Sequence, residues 1–341
     1  HVRLHSFPTR RSSDLADETV TFGAPKPGHL LPAAQSAIGR LTLVDIGLDF
    51  GGVAPAVERL TRSDVARLWP IPDADSDKYS RGVVGIVAGS AAYPGAAVLS
   101  VVGSLGTGPG MVRYLGPPAV AALVHRQAPE AVTATGRVQA HVLGSGVDPD
   151  DPDDSGQVRW IRQALASDLP CVVDAGALAV VGPRAAPTVL TPHAGELAGL
   201  LTRLGAADGP GGPGVTRADV RADPLGHAQA AADALGCVVL LKGATTLVVA
   251  PSADGRPPRS QADAPPWLAT AGAGDVLGGI VGTLLAAGLD PVDAASLGAL
   301  VHGRAATLAS AGGPVRALDV ARAVGRAVGR TQGVGHAHAV D

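Results

Sequence analysis

From about Thr61 to about Gln332 the chain alternates short, largely apolar runs with longer Ala-rich segments. The runs Val83–Ala88, Met111–Leu115, Ala140–Gly144, Cys171–Asp174, Thr188–Leu190, Cys237–Leu241 and Thr246–Ala250 have the length of strands and no continuous polar face. A strand wetted on one side alternates apolar and polar residues, whereas one covered on both sides does not. Between them, Gly95–Leu105, Gln157–Ala166, Gly195–Leu204, Pro224–Leu235, Asp275–Ala287, Pro291–Ser310 and Ala317–Val328 read as helices. This order predicts an α/β fold with a mostly parallel central sheet and helices on both faces.

Composition narrows the function classes. Aromatic residues make up only 3% of the chain, so the stacking platforms that hold single-stranded nucleic acid are not expected. The net charge of -3, with no long basic run, argues against nucleic acid or an anionic membrane as partner. The apolar stretch Val276–Leu289 is shorter than the roughly 20 residues that span a bilayer. No N-terminal apolar segment of signal-peptide type is present, and Cys171 and Cys237 sit in apolar runs as buried thiols. A cytoplasmic protein is expected.

Two blocks flank the alternating region. The first fifteen residues, His1–Leu15, are rich in Arg, Ser and His and read as foreign to the natural chain or as a disordered tail. In residues 16–60, Thr19–Phe22 and Leu41–Asp45 read as short strands joined by a Gly- and Pro-rich loop. So short a block cannot bury a core alone, so it reads as the end of another domain plus a linker. Residues 61–332 form the main domain, Gly205–Val215 a flexible loop within it, and residues 333–341 a disordered tail.

The strongest chemical signal is Thr270-Ala-Gly-Ala-Gly-Asp275 at the head of an apolar helix. Small residues there leave the backbone N–H groups of Gly272, Ala273 and Gly274 open to an anion such as phosphate. Asp275 can then accept a proton from a substrate hydroxyl. A plain Gly-rich turn with an Asp N-cap fits the spacing equally. In Leu190-Thr-Pro-His193-Ala-Gly-Glu196 a strand ends and a helix begins, which is where open α/β sheets bind ligands. The plainer reading has Thr191 cap that helix and Glu196 favour its positive end. One His and one Glu do not make a metal site. Lys242-Gly-Ala-Thr-Thr246 is a tight turn in which Lys242 meets a phosphate or simply decorates a hairpin. Strand-end turns at Ala88–Ala97 and Gly144-Ser-Gly146 each read as an ordinary tight connection when taken alone, though in this architecture they would converge on the same rim. Gly209–Gly214 matches the spacing of a dinucleotide fingerprint, but no strand precedes it and its prolines forbid the turn.

In this order, Lys78-Tyr-Ser-Arg-Gly82, Val87-Ala-Gly-Ser90 with Tyr93-Pro-Gly-Ala96, Gly144-Ser-Gly146, Val173-Asp-Ala-Gly-Ala177, Thr191–Glu196, Lys242–Thr246 and Leu268–Asp275 closely resemble the ADP-dependent NAD(P)H-hydrate dehydratases. The resemblance implies a ribokinase-like fold and an enzyme, a carbon–oxygen lyase that repairs hydrated NADH or NADPH. ADP would phosphorylate the hydrate's hydroxyl and phosphate would then leave. It implies Asp275 as catalytic base and Ala96, Gly146, His193 and Asp275 as contacts to the hydrate. Lys242, Gly243, Ala244, Thr245, Thr246 and Gly274 would line the nucleotide site, and Gly272, Ala273 and Gly274 would form the anion hole. Mg²⁺ is expected with the nucleotide, through ligands the resemblance does not name, and a homo-oligomer is expected. Ser145 stands where the family usually has Pro, and Ala273 where it often has Ser or Thr. The block at residues 16–60 resembles the end of an NAD(P)H-hydrate epimerase domain without its catalytic part, so no epimerase activity is expected. The alternative is a vitamin or sugar kinase of the same fold.

Overall fold

The computed structural model describes residues 15–205 and 214–331. The tail reading of residues 1–15 (Leu15 apart), the C-terminal tail, the rejected Gly209–Gly214 fingerprint (Gly214 apart) and most of the loop at 205–215 lie outside the described residues.

Strands β1 (Glu18–Phe22) and β2 (Arg40–Val44) form a separate, parallel two-stranded sheet. The stretch between them is not wholly loop: Pro27 and Pro32 each open a single helical turn, α1 (Pro27–Leu30) and α2 (Pro32–Gln35). Proline fits the first helical position because that N–H has no intrahelical partner. Arg59 ties the block to the rest of the chain. Its Nη2 donates to Leu30 O at 2.8 Å and its Nε to Ser260 O at 3.2 Å.

After helix α3 (Arg62–Leu68) comes the main sheet. Its strands are β3 (Val83–Val87), β4 (Met111–Tyr114), β5 (Ala140–Leu143), β6 (Cys171–Val173), β7 (Thr188–Leu190), β8 (Val238–Leu241), β9 (Thr246–Val249) and β10 (Arg259–Gln261). They lie in the order β10-β9-β8-β7-β6-β5-β3-β4. Pairing is parallel from β4 to β8, and β8-β9-β10 closes the other edge as an antiparallel meander. Helices α4 (Pro94–Thr107), α5 (Pro118–Gln127), α6 (Ser155–Leu165), α7 (Ala194–Arg203), α8 (Arg217–Ala222), α9 (Pro224–Leu235), α10 (Ala273–Ala286), α11 (Pro291–Ser310) and α12 (Ala317–Thr331) complete the chain.

The two-residue period of a strand divides each one between two cores. Val142, Val172 and Leu240 pack with α10, α11 and α12, while Leu143, Val173 and Leu241 pack with α6, α7 and α9. That double burial is why the strands carry no polar face. Helix α10 is buried almost all round and lies so close to α4 that a Cβ on Gly279 would stand 2.2 Å from Ser100 O. Glycine there sets the depth at which α10 runs beneath the sheet, and with it the position of the turn at its head. Among the described residues no helix is long and apolar enough to cross a membrane.

Candidate active site

Strand β3 lies between β4 and β5, so the chain leaves β3 first to one side and later returns on the other. Loops that diverge at such a reversal open a crevice at the carboxyl ends of the strands. Two glycines shape the loop after β5. Gly144 and Gly146 have φ +102 and +67, values that glycine adopts freely and other residues rarely do. A Cβ on Gly144 would lie 2.3 Å from Asp174 O, and one on Gly146 would lie 2.6 Å from Ala96 Cβ. Gly146 and buried Ala96 are therefore in direct apposition. The Gly89 N–H, from the loop after β3, donates to Ser145 O at 2.7 Å and fastens the two loops together.

Asp174 follows β6 and is only 3% exposed. A carboxylate at that depth needs partners, and three side chains provide them. Lys242 Nζ donates to Oδ1 at 2.8 Å, Thr191 Oγ1 to Oδ1 at 2.9 Å, and Ser145 Oγ to Oδ2 at 3.1 Å. Ala175, the next residue, has φ +46, a left-handed turn that is strained for alanine. Lys242 also stands 3.6 Å from Glu196 Oε2. Burial opposes the charge on Lys242, but Asp174 and Glu196 outweigh it and hold its pKa above the ordinary lysine value.

His193, not Thr191, caps α7. Its Nδ1 accepts the N–H groups of Gly195 (3.1 Å) and Glu196 (3.0 Å), while Glu196 Oε2 accepts the His193 N–H at 2.7 Å. This is a capping box with histidine in the place usually taken by Ser or Thr. Thr191 is turned inward to Asp174 instead. Glu196 thus joins the helix cap to the lysine.

The turn ahead of α10 closes the site. Gly272 is the N-cap with φ +87, and a Cβ there would lie 2.3 Å from Leu99 Cδ1. The helix begins at Ala273, two residues earlier than its sequence pattern predicts, so Asp275 lies in the first turn rather than at the cap. The N–H groups of Gly272, Gly274 and Asp275 have no internal acceptor among the described residues. That of Ala273 reaches Thr270 O at 3.4 Å, too long for a strong bond. A Cβ on Gly274 would stand 3.3 Å from Lys242 Nζ, which places the free N–H groups beside the lysine. Burial, then the charge of Asp174, raise the Asp275 pKa to about 6, against the pull of Lys242.

A cavity of about 770 Å³ adjoins this centre, lined among others by His193, Lys242, Gly243, Ala244, Thr246 and Gly274. Buried Thr245 lines a second cavity of about 570 Å³ that shares His193, Lys242, Gly243 and Ala244 with the first. Ala96, Gly146 and Asp275 are part of neither lining. The structure therefore gathers the turn of Gly272–Asp275, Lys242 and His193 at one rim, with Ala96 and Gly146 paired across the β5 loop. Among the described residues no three His, Cys, Asp or Glu side chains converge as a metal cage.

Asp174 and Ser145 have no role assigned from sequence, yet they organise this centre. A carboxylate ending the apolar run of β6 was the available signal, since aspartate is seldom buried without partners.

A family model described as NAD(P)H-hydrate dehydratase matches residues 84–323. The chain is similar to the bifunctional NAD(P)H-hydrate repair enzyme Nnr of Mycobacterium leprae, 42% identical over 305 residues, covering 86% of this chain and 58% of that protein. It is 43% identical over 290 residues to the Nnr of Mycobacterium tuberculosis H37Rv, covering 82% and 55%. The chain thus spans about half the length of the curated relatives it matches. Among solved structures it is similar to an ADP/ATP-dependent NAD(P)H-hydrate dehydratase from Bacillus subtilis co-crystallised with ATP/Mg²⁺, with TM-score 0.70 and 25% identity over 82% of this chain and 100% of that one. A ribokinase-like superfamily protein from Enterococcus faecalis V583, with TM-score 0.69 and 19% identity over 84% and 99% of the two chains, shares the fold. The dense burial around Asp174, Lys242 and Asp275 thus lies in a chain that belongs to the NAD(P)H-hydrate dehydratase family.

Proposed function

We propose that this chain removes water from hydrated NADH or NADPH with ADP as phosphoryl donor, in the cytoplasm. The observation that carries the reading is the pairing of free N–H groups at the head of α10 with an Asp275 carboxyl whose pKa is raised to about 6. A base poised near working pH takes a proton well and is still ionised when needed.

The hydrate's hydroxyl oxygen attacks the terminal phosphorus of ADP, and the bond from that phosphorus to AMP breaks. Asp275 takes the hydroxyl proton as the new O–P bond forms. The N–H groups of Gly272 and Gly274 receive the charge that grows on the phosphoryl oxygens, where fixed donors act without reorganising. Lys242, held by Asp174 and Glu196, adds a positive charge beside Gly274. Phosphate then leaves with the C–O electron pair, a proton leaves the adjacent ring carbon, and the ring double bond returns. A phosphate-carried Mg²⁺ supplies further neutralisation of charge when bound. The name of the Bacillus subtilis relative, ADP/ATP-dependent, supports an adenine nucleotide as the donor.

We also assign the block at residues 16–60 to the end of an epimerase-type domain. The exposure of Val20, Phe22, Leu43 and Ile46 supports this, because a parallel pair is ordinarily buried inside a larger sheet.

Phosphorus NMR of the reaction mixture tests the proposed reaction. The reading requires AMP and free phosphate in equal amounts; a phosphorylated organic product that persists would point to a kinase instead.

A further inference from the structure

The smaller cavity, about 570 Å³, is cationic. Its lining includes Arg217, Arg221, Lys242 and His193 and no Asp or Glu. Lys242 is ion-paired with Asp174 and Glu196, whereas the two arginines have no carboxylate partner among the described residues. Among the described residues neither Arg217 nor Arg221 has an ion pair or a hydrogen bond to any side chain.

Arg217 and Arg221 are four residues apart on α8, so they occupy one face of the helix, where two like charges repel. Val220, between them in sequence and part of the same cavity lining, is fully buried and anchors the helix. The pair lines the cavity without an internal counter-charge among the described residues. Arg217 also belongs to the lining of the larger cavity, beside His193, Lys242 and Gly243. Its Cδ lies 4.0 Å from where a Cβ on Gly195 would stand, so the side chain passes over the first turn of α7 next to His193. It sits where the two cavities join, outside the phosphoryl-transfer turn.

We infer that Arg217, backed by Arg221, is a phosphate-binding subsite for a nucleotide that reaches from the larger cavity into the smaller one. The guanidinium group suits this task because its planar donors take two phosphate oxygens at once. The ligand is a phosphate of a nucleotide, supplied either by the donor or by the dinucleotide substrate. The inference rests on the nucleotide reading of the adjoining cavity.

Steady-state kinetics of the full chain with Arg217→Ala, Arg217→Lys and Arg221→Ala test it, varying ADP and each hydrate in turn. A rise of tenfold or more in KM for ADP assigns the subsite to the donor. A rise of that size for a hydrate assigns it to the dinucleotide, and one confined to the NADPH form assigns it to the additional phosphate. Arg217→Lys is expected to recover part of the loss. KM values within twofold of the parent for every ligand overturn the inference. Equilibrium titration with ADP and with NADP⁺ separates this from failure of the catalytic reading. If the protein turns over no hydrate, weaker binding of either nucleotide by Arg217→Ala, with a flatter salt dependence, still supports the subsite, and unchanged binding of both overturns it.

Discussion

Lys242 Nζ lies 2.8 Å from Asp174 Oδ1, with the aspartate side chain 4% exposed and the lysine 21%. This pair joins the end of β6 to the β8–β9 turn, and it carries the positive charge to Gly274. Removing one member of a buried pair leaves the other charge uncompensated. Asp174→Ala is expected to lower the unfolding free energy by about 3–5 kcal/mol. Urea denaturation at neutral pH checks this, and a loss under about 1 kcal/mol would mean the pair is not buried in solution as described.

The raised pKa of Asp275 has two consequences of opposite sign. For catalysis, the ionised base is needed, so kcat/KM is expected to rise with pH through about 6 and then level off. For stability, a folded-state pKa above the unfolded value means the native chain binds the proton more tightly. Between the two pKa values stability therefore falls as pH rises, and the favourable contribution is present only at lower pH. Asp275→Asn, which cannot ionise, is expected to be more stable than the parent at pH 8 by about 1–3 kcal/mol. It is also expected to lose turnover by about 10²–10⁴-fold. A less stable or fully active Asp275→Asn would refute the assignment.

Gly274 separates fold from function. Its backbone is helical, and alanine favours a helix over glycine by about 1 kcal/mol. Gly274→Ala is thus expected to keep or raise the melting temperature. The added methyl would stand 3.3 Å from Lys242 Nζ and crowd the approach of a phosphate. Turnover should fall at least tenfold while thermal stability holds, which paired melting and activity measurements resolve.

His193 has two tasks that one pair of variants distinguishes. As the cap of α7 it contributes about 0.5–2 kcal/mol, lost in His193→Ala. Asparagine is a strong cap, so His193→Asn is expected to restore stability. If the ring also contacts the hydrate, KM for the hydrate stays raised in both variants; a parental KM in His193→Asn would leave only the cap.

Much of this architecture was legible in the chain itself. Strands buried on both faces leave an unbroken apolar signature, so β3 and β5 to β9 are visible as apolar runs, and the edge strand β4 shows through Met111, Val112 and Tyr114 around half-exposed Arg113. Strand β10 is not: Ser260 and Gln261 are polar yet buried, Ser260 accepting from Arg59, and Arg259 pairs with Glu58 and Asp293. Helix α5 escapes notice because only Val120 and Val124 are buried on it. The Gly-rich turn at Gly272–Asp275 and the lysine turn are likewise local and visible. The links from Asp174 to Ser145 and Thr191 are not, because they join residues 29 and 17 positions apart through the sheet. Which residue caps α7 was also beyond local pattern, since Thr191 is drawn away by a tertiary partner and histidine takes its place.

The most direct test mixes the purified protein with hydrated NADH, Mg²⁺ and ADP and follows the near-ultraviolet absorbance of the dihydronicotinamide ring. The account predicts that absorbance returns only with nucleotide present, that one free phosphate appears per ring restored, and that Asp275→Asn abolishes both. Hydrate consumed without return of absorbance, with a phosphorylated product left behind, would contradict it.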